Sequence, residues 1–235
     1  MRVRRRIDAG CVTEIEIYTA AGATKKKRRP RLRFRDEAER AAHRERIELQ
    51  AFTRLVHANY TAGRSLYSTL TFADEAEVYS YAEAKRLRAN YARRLRRAYP
   101  AARFVIVLGR GKNTMRIHAH MISDGIPAAE IRKIWGAGLT ESRPLRAHNV
   151  YEDGDHGPDW SALAAYLWRH WTPEQGGHHY LATRNHRPAD REAAREVKRE
   201  YSPERPPKPP RGYRLVEAYG TPFGYQYYKF VKMIS

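Results

Sequence analysis

Two histidines one residue apart, in the run Arg116-Ile117-His118-Ala119-His120-Met121-Ile122, and a tyrosine in the later run Leu163-Ala164-Ala165-Tyr166-Leu167-Trp168-Arg169-His170, are the side chains of this sequence best suited to chemistry. Alternate residues of a strand share a face, so His118 and His120 can reach one ion while Ile117, Ala119 and Met121 pack behind them. Two imidazoles at that spacing supply half of a metal site, and a phenol is a covalent nucleophile once its ionised form is stabilised. The pairing points to metal-dependent nuclease chemistry with a tyrosine nucleophile. The same spacing also fits two surface histidines on a half-buried strand, a helix tyrosine at a core edge and a packing histidine.

The elements that must position these residues can be read from periodicity. Arg103 to Leu108 is a short apolar run, Gly109-Arg110-Gly111-Lys112-Asn113 is turn-like, and Met115 to Ser123 alternates, which predicts a hairpin carrying both histidines. Ser65 to Phe72 and Val12 to Tyr18 also alternate as strands. Helices are predicted over Asp36 to Asn59, over the residues after the capping-box run Ser80-Tyr81-Ala82-Glu83 with Leu87, Tyr91 and Leu95 as a stripe, and over Pro127 to Trp135, closed by Gly136. A further helix is expected from Pro158 through Trp171, with Trp160, Leu163, Leu167 and Trp171 as its buried arc. Tyr166 and His170 then stack one turn apart at the border of that arc, so a third imidazole can face the sheet. Three neutral histidines leave positions open on a divalent ion for a substrate oxygen.

The expected organisation is residues 1–59 as a basic strand, loop and helix, 60–200 as the core around the site, 201–212 as a Pro-rich linker, and 213–235 as an aromatic strand pair packed on the same single domain. Strands and helices interleave without βαβ regularity, so the fold class is α+β with a central antiparallel sheet flanked by helices.

Composition narrows the partner. The chain has 235 residues and carries 45 Lys plus Arg against 26 Asp plus Glu, a formal charge of +19, which favours a polyanion and above all nucleic acid. The candidate DNA-binding residues are Lys25, Lys26, Lys27, Arg28 and Arg29, then Arg93, Arg94, Arg96 and Arg97, with Arg110 and Lys112 in the hairpin turn. Exposed aromatics could stack unpaired bases, although Tyr225, Tyr227 and Tyr228 fit an edge hairpin better than a base platform. A single cysteine, Cys11, excludes an internal disulfide. With no signal-peptide pattern and no stretch near the ~20 apolar residues of a membrane span, a cytoplasmic protein with no membrane partner is expected.

Hydrophobic-His-x-His-hydrophobic on a strand, followed by a helix with an isolated tyrosine, resembles the HUH endonucleases, and among them the replication-associated proteins related to filamentous-phage rolling-circle initiators. Leu70-Thr71-Phe72 is similar to the first motif strand, His118-Ala119-His120 to the metal motif, Ile134-Trp135-Gly136-Ala137-Gly138 to the Trp-Gly segment, Tyr166-Leu167 to the nucleophile motif, and Phe223-Gly224-Tyr225-Gln226-Tyr227-Tyr228 to the ending. One departure matters. Many relatives carry a Glu at the end of the strand before the histidine strand, where this chain has Val107-Leu108-Gly109. Related single-strand transposases take that ligand from the nucleophile helix, four residues after the tyrosine, the place of His170. His148, Asp155 and His156 are fallback ligands.

The resemblance implies an HUH/RRM-like sheet with the nucleophile on a helix packed against it. It implies Mg²⁺ or Mn²⁺ at His118, His120 and His170, whereas imidazole donors by themselves lean toward Zn²⁺ and other transition ions. It further implies that Tyr166, helped by Arg169, nicks and rejoins single-stranded or hairpin DNA at a replication origin through a 5′-phosphotyrosine, with a host helicase as a candidate further partner. Two readings of other classes stand beside it: a non-catalytic nucleic-acid-binding protein with a degenerate site, and a histidine-metal hydrolase using water.

Overall fold

The structure is a computed structural model, and it describes residues 1–20, 36–73, 78, 80–111, 116–171, 175–221 and 224–234. The run Lys25 to Arg29 and Lys112 lie outside these residues. In chain order the elements begin with β1 (Arg2–Ala9), β2 (Val12–Thr19), α1 (Glu37–Asn59), β3 (Leu66–Thr71) and α2 (Tyr81–Ala98). They continue with β4 (Arg103–Arg110), β5 (Ile117–Asp124), α3 (Ala128–Trp135), β6 (Thr140–Pro144), β7 (Val150–Tyr151) and β8 (Gly154–Asp155). Last come α4 (Ser161–Arg169), β9 (Leu181–Ala182), β10 (Asp190–Arg191), β11 (Arg195–Glu196), β12 (Tyr213–Gly220) and β13 (Gln226–Lys232). This is the expected α+β class, with antiparallel strand pairing throughout the two larger sheets.

The chain divides into two compact units, one from Met1–Ala58, His148–Asp159 and Pro188–Ser235, the other from Asn59–Ala147 and Trp160–Arg187. The second unit carries the histidines. Its sheet runs β6-β3-β5-β4-β9, so the succession β3-α2-β4-β5-α3-β6 is a β-α-β-β-α-β unit with the histidine strand β5 at the centre. Strand alternation splits this sheet into two chemically different faces. On one face Leu70, Ile106, Leu108, Ala119 and Met121 are fully buried against Tyr91 and Leu95 of α2 and Ile131 of α3. Burying each large apolar side chain there contributes roughly 1.5–3 kcal/mol. The other face carries His118 and His120, together with the residues opposite them on the neighbouring strands, Gly109 and Thr71, then Val107 and Thr69.

Local chemistry accounts for the element ends. The Ser80 side chain caps α2 by accepting from the Ala82 N–H, and α3 closes on Gly136 in the left-handed region at φ 58°. Helix α4 is shorter than the periodicity suggests. It starts after Trp160, ends at Arg169, and buries Ala164, Leu167 and Trp168 as its stripe. Leu163 and Trp171, expected in the buried arc, are only half-buried.

The first unit is a sheet in the order β10-β1-β2-β13-β12, with β11 also paired to β1. Ile15 and Ile17 of β2 cluster with Tyr228 and Phe230 of β13. The opposite face of β2 presents Glu14 and Glu16 to Arg54 of α1, whose guanidinium lies 2.5 and 3.0 Å from the two carboxylates. Lys229 lies 2.9 Å from both Asp159 and Glu217, and His57 lies 3.3 Å from Asp159. Tyr227 and Tyr228 are buried packing residues of β13 and offer no base platform. Burial, and after it the charge of Asp159, pushes the Cys11 thiol up to about 12.

Candidate metal centre and nucleophile

On β5 the two histidine rings meet edge to face with centroids 4.7 Å apart and their Nε2 atoms 3.0 Å apart. The Tyr67 hydroxyl, from the neighbouring strand, lies 2.8 Å from His120 Nδ1, which fixes that ring and turns its other nitrogen toward His118. The end of α4 delivers the third ring: the His170 centroid is 4.6 Å from His120 and 5.5 Å from His118. One nitrogen from each of the three rings lies within 4.8 Å of the others. Ligand nitrogens on a single ion stand ~3–4 Å apart, given bonds of ~2.1 Å.

The electrostatics match that arrangement. Burial, then the neighbouring His118 and His170, pulls the His120 imidazole down to about 3. Burial, then His118 and Arg169, pulls His170 down to about 4. His118 is lowered by burial as well, against a hydrogen bond to the Arg116 backbone. All three rings are therefore neutral near pH 7, the protonation state a metal ligand needs. His170 Nε2 is buried with no hydrogen-bond partner, a costly condition that a bound cation would relieve. The donor set and its geometry thus fit a divalent ion.

Gly109 and His170 explain one another. A Cβ at position 109 would stand 2.5 Å from His170 Nδ1, 2.9 Å from its Cγ and 3.2 Å from His118 Nε2. The space a side chain on β4 would take is filled by the helix imidazole, so a carboxylate at 109 and the ring of His170 exclude each other in this geometry. His170 is held there by Gln175, whose side-chain amide donates to the His170 carbonyl at 2.7 Å and to the Leu108 carbonyl at 3.3 Å. Lys85 of α2 in turn donates to the Gln175 carbonyl and, at 3.1 Å, to that of Gly176. His179, stacked between Trp168 and Trp171 at 3.7 and 4.0 Å, braces the same helix end. Gln175 carries no motif, and nothing in its sequence neighbourhood singles it out.

Tyr166 is 41% exposed, with its ring centroid 5.4 Å from His120 and 4.5 Å from His170. It lines a cleft of about 830 Å³ together with His118, His120, Tyr67, Thr69 and Thr71. Arg169 is exposed on the last turn of α4. The arginines expected to bind DNA lie elsewhere. Helix α2, with Arg93, Arg94, Arg96 and Arg97, covers the sheet face opposite the histidines, where the Arg96 guanidinium lies 6.0 Å from the Phe104 ring centroid and Arg94 donates to the Trp135 carbonyl. Arg110, one residue past Gly109, turns to that same face, 4.8 Å from the Tyr81 ring centroid. The cleft instead contains Arg116 and Arg143, which sequence reading did not single out. Arg116 shares the parity of His118 and His120, and that signal was present in the alternation; Arg143 became visible only with the pairing of β6.

The loop histidines are otherwise engaged. His148 pairs with Asp155 at 2.7 Å and His156 with Asp153 at 2.9 Å around the β7–β8 hairpin of the first unit. The Trp-Gly segment walls the cleft: the Trp135 indole donates to the Thr71 carbonyl at 2.8 Å, and a Cβ at Gly138 would collide with that same oxygen.

Residues 65–153 match the family of replication-associated proteins typified by ORF2 and the phage gene-two protein. The matched span begins at β3, contains the whole β-α-β-β-α-β unit and both strand histidines, and agrees with the resemblance to rolling-circle replication initiators. Tyr166 and His170 lie beyond it. No curated protein and no solved structure matches the chain.

Proposed function

We propose that the protein is a metal-dependent endonuclease that nicks and rejoins single-stranded DNA at a replication origin to start rolling-circle replication. The observation that carries this reading is the convergence of three neutral imidazoles, one with an unsatisfied buried nitrogen, beside an exposed tyrosine, with the two strand histidines inside the span that matches a replication-associated family. His118, His120 and His170 hold the ion, Mg²⁺ or Mn²⁺, with Zn²⁺ as the alternative that the all-nitrogen donor set favours. When bound, it polarises a non-bridging oxygen of the scissile phosphate.

The Tyr166 oxygen attacks phosphorus, a phosphotyrosine bond to the 5′ side forms, the bond to the 3′ oxygen breaks, and that oxygen takes up a proton as a free 3′-hydroxyl. Arg169, on the last turn of the same helix, is the basic side chain that would assist this step. The 3′-hydroxyl can prime synthesis or attack the tyrosyl linkage to rejoin the strand. Among the described residues no helix is long and apolar enough to cross a membrane.

The test is incubation with single-stranded oligonucleotides from the parent replicon and Mn²⁺, followed by a denaturing gel. A covalent protein–DNA adduct that disappears in Tyr166→Phe, while metal binding persists, supports the reading. Cleavage without an adduct would mean attack by water, and nicking retained by Tyr166→Phe would remove Tyr166 as nucleophile.

A further inference from the structure

The face that carries the histidines is a defined track across the sheet. Position 116 directly precedes β5 on the histidine face, and at the other end of that face Ile122 pairs with Tyr67, which pairs in turn with Arg143 of β6. At ~3.3 Å per residue, about 20 Å of strand separates positions 116 and 122, with His118 and His120 between them. Both arginines line the cleft, as do Thr69 and Thr71. The Arg143 guanidinium lies 5.2 Å from the centroid of the Tyr67 ring whose hydroxyl holds His120. Glu141, exposed on the same face of β6, is the acidic group nearest in register, and it is not among the residues lining the cleft.

Resting on the proposed nicking activity, we infer that single-stranded DNA lies along β5 on the histidine face, with Arg116 and Arg143 contacting backbone phosphates on either side of the one held at His118 and His120. The α2 arginines, on the opposite face of the sheet, take no part in this track. They supply the sequence-independent positive field that attracts DNA at low salt.

The experiment is equilibrium binding of a fluorescent single-stranded oligodeoxynucleotide to the full chain in a Tyr166→Phe background, so that no covalent product forms, across a series of salt concentrations. Arg116→Ala and Arg143→Ala are each expected to weaken binding roughly fivefold and to flatten the plot of log affinity against log salt by about 0.7, one phosphate contact of a single strand. The double variant Arg93→Ala/Arg97→Ala is expected to change affinity less than about twofold at the higher salt concentrations. Both cleft arginines are exposed, so unchanged thermal melting shows that the fold is intact. A larger loss in the α2 variant, or equal losses in all variants, overturns the track. Binding is read apart from cleavage, so an arginine-dependent affinity without an adduct in the Tyr166 chain would refute the nicking reading alone.

Discussion

Both units bury polar side chains against an antiparallel sheet, the first by pairing opposite charges and the second, besides the pairing of Asp124 with Arg64 and Arg103, by gathering like donors. Among the described residues of the first, each buried charge faces an opposite one: Arg54 meets Glu14 and Glu16, and Lys229 meets Asp159 and Glu217. In the second, three imidazoles crowd together without an acid among them, and they stay neutral because burial and mutual repulsion forbid the charge. A paired set is complete and holds its fold; a set of like donors around a shared point is complete only with a cation. Buried polar groups are therefore informative by what their neighbours lack.

That contrast can be broken from either side. The largest effect is expected from Arg54→Ala, which leaves Glu14 buried without its cation and should cost roughly 3–5 kcal/mol in urea unfolding. Calorimetric metal affinity of the folded variant should be unchanged; a fall would show that the first unit also shapes the metal centre. Next, Gly109→Ala places a methyl against the His170 ring and should cost about 1–3 kcal/mol. In a double-mutant cycle with His170→Ala the cost should shrink, because the clashing partner is gone. Additivity would show that the ring does not fill that space.

Gln175→Met keeps the bulk and removes the donor to the His170 and Leu108 carbonyls. Metal affinity is expected to fall about tenfold, a typical consequence of losing a group that orients a ligand. The absorption bands of a bound Co²⁺ probe should shift as well, which loss of stability alone would not cause. The smallest effect concerns pH. The folded pKa values of His120 and His170, about 3 and about 4, lie below the ordinary 6.5, so the unfolded chain takes up protons first. Their contribution is intact above pH ~6.5 and declines as pH falls toward ~4 and then ~3. Urea midpoints should drop less steeply between pH 6.5 and 4 in His120→Gln than in the parent. An identical slope would mean that these rings are already protonated in the fold.

Much of the second unit is legible in the sequence because β3 and β5 alternate and β4 is a short apolar run bounded by a turn. Ile117, Ala119 and Met121 set one face of β5 and leave His118 and His120 on the other. The helix stop at Gly136 and the cap at Ser80 were likewise local signals. Strand β1 was hidden, since Arg2, Arg4, Arg5 and Arg6 mask an apolar pattern of only Val3, Ile7 and Ala9. The periodicity of α4 predicts an arc of Trp160, Leu163, Leu167 and Trp171, but the two tryptophans fall outside the helix, and the stripe it buries is Ala164, Leu167 and Trp168. Arg143, Tyr67 and Gln175 acquire roles only through register and tertiary contact, which residue spacing does not encode. The α2 arginines show the converse limit: a basic tract reveals charge, and only packing reveals which face carries it.

The shared volume of position 109 and the His170 ring also constrains how such a site can change over generations. A carboxylate on β4 and an imidazole at the end of α4 cannot be exchanged independently. A lineage that gains the histidine before emptying the strand position incurs a steric clash, and one that empties it first must tolerate an interval with a single pair of strand imidazoles. The viable order of substitutions runs through glycine, so residues 61 positions apart in the chain, 109 and 170, are bound into one epistatic pair.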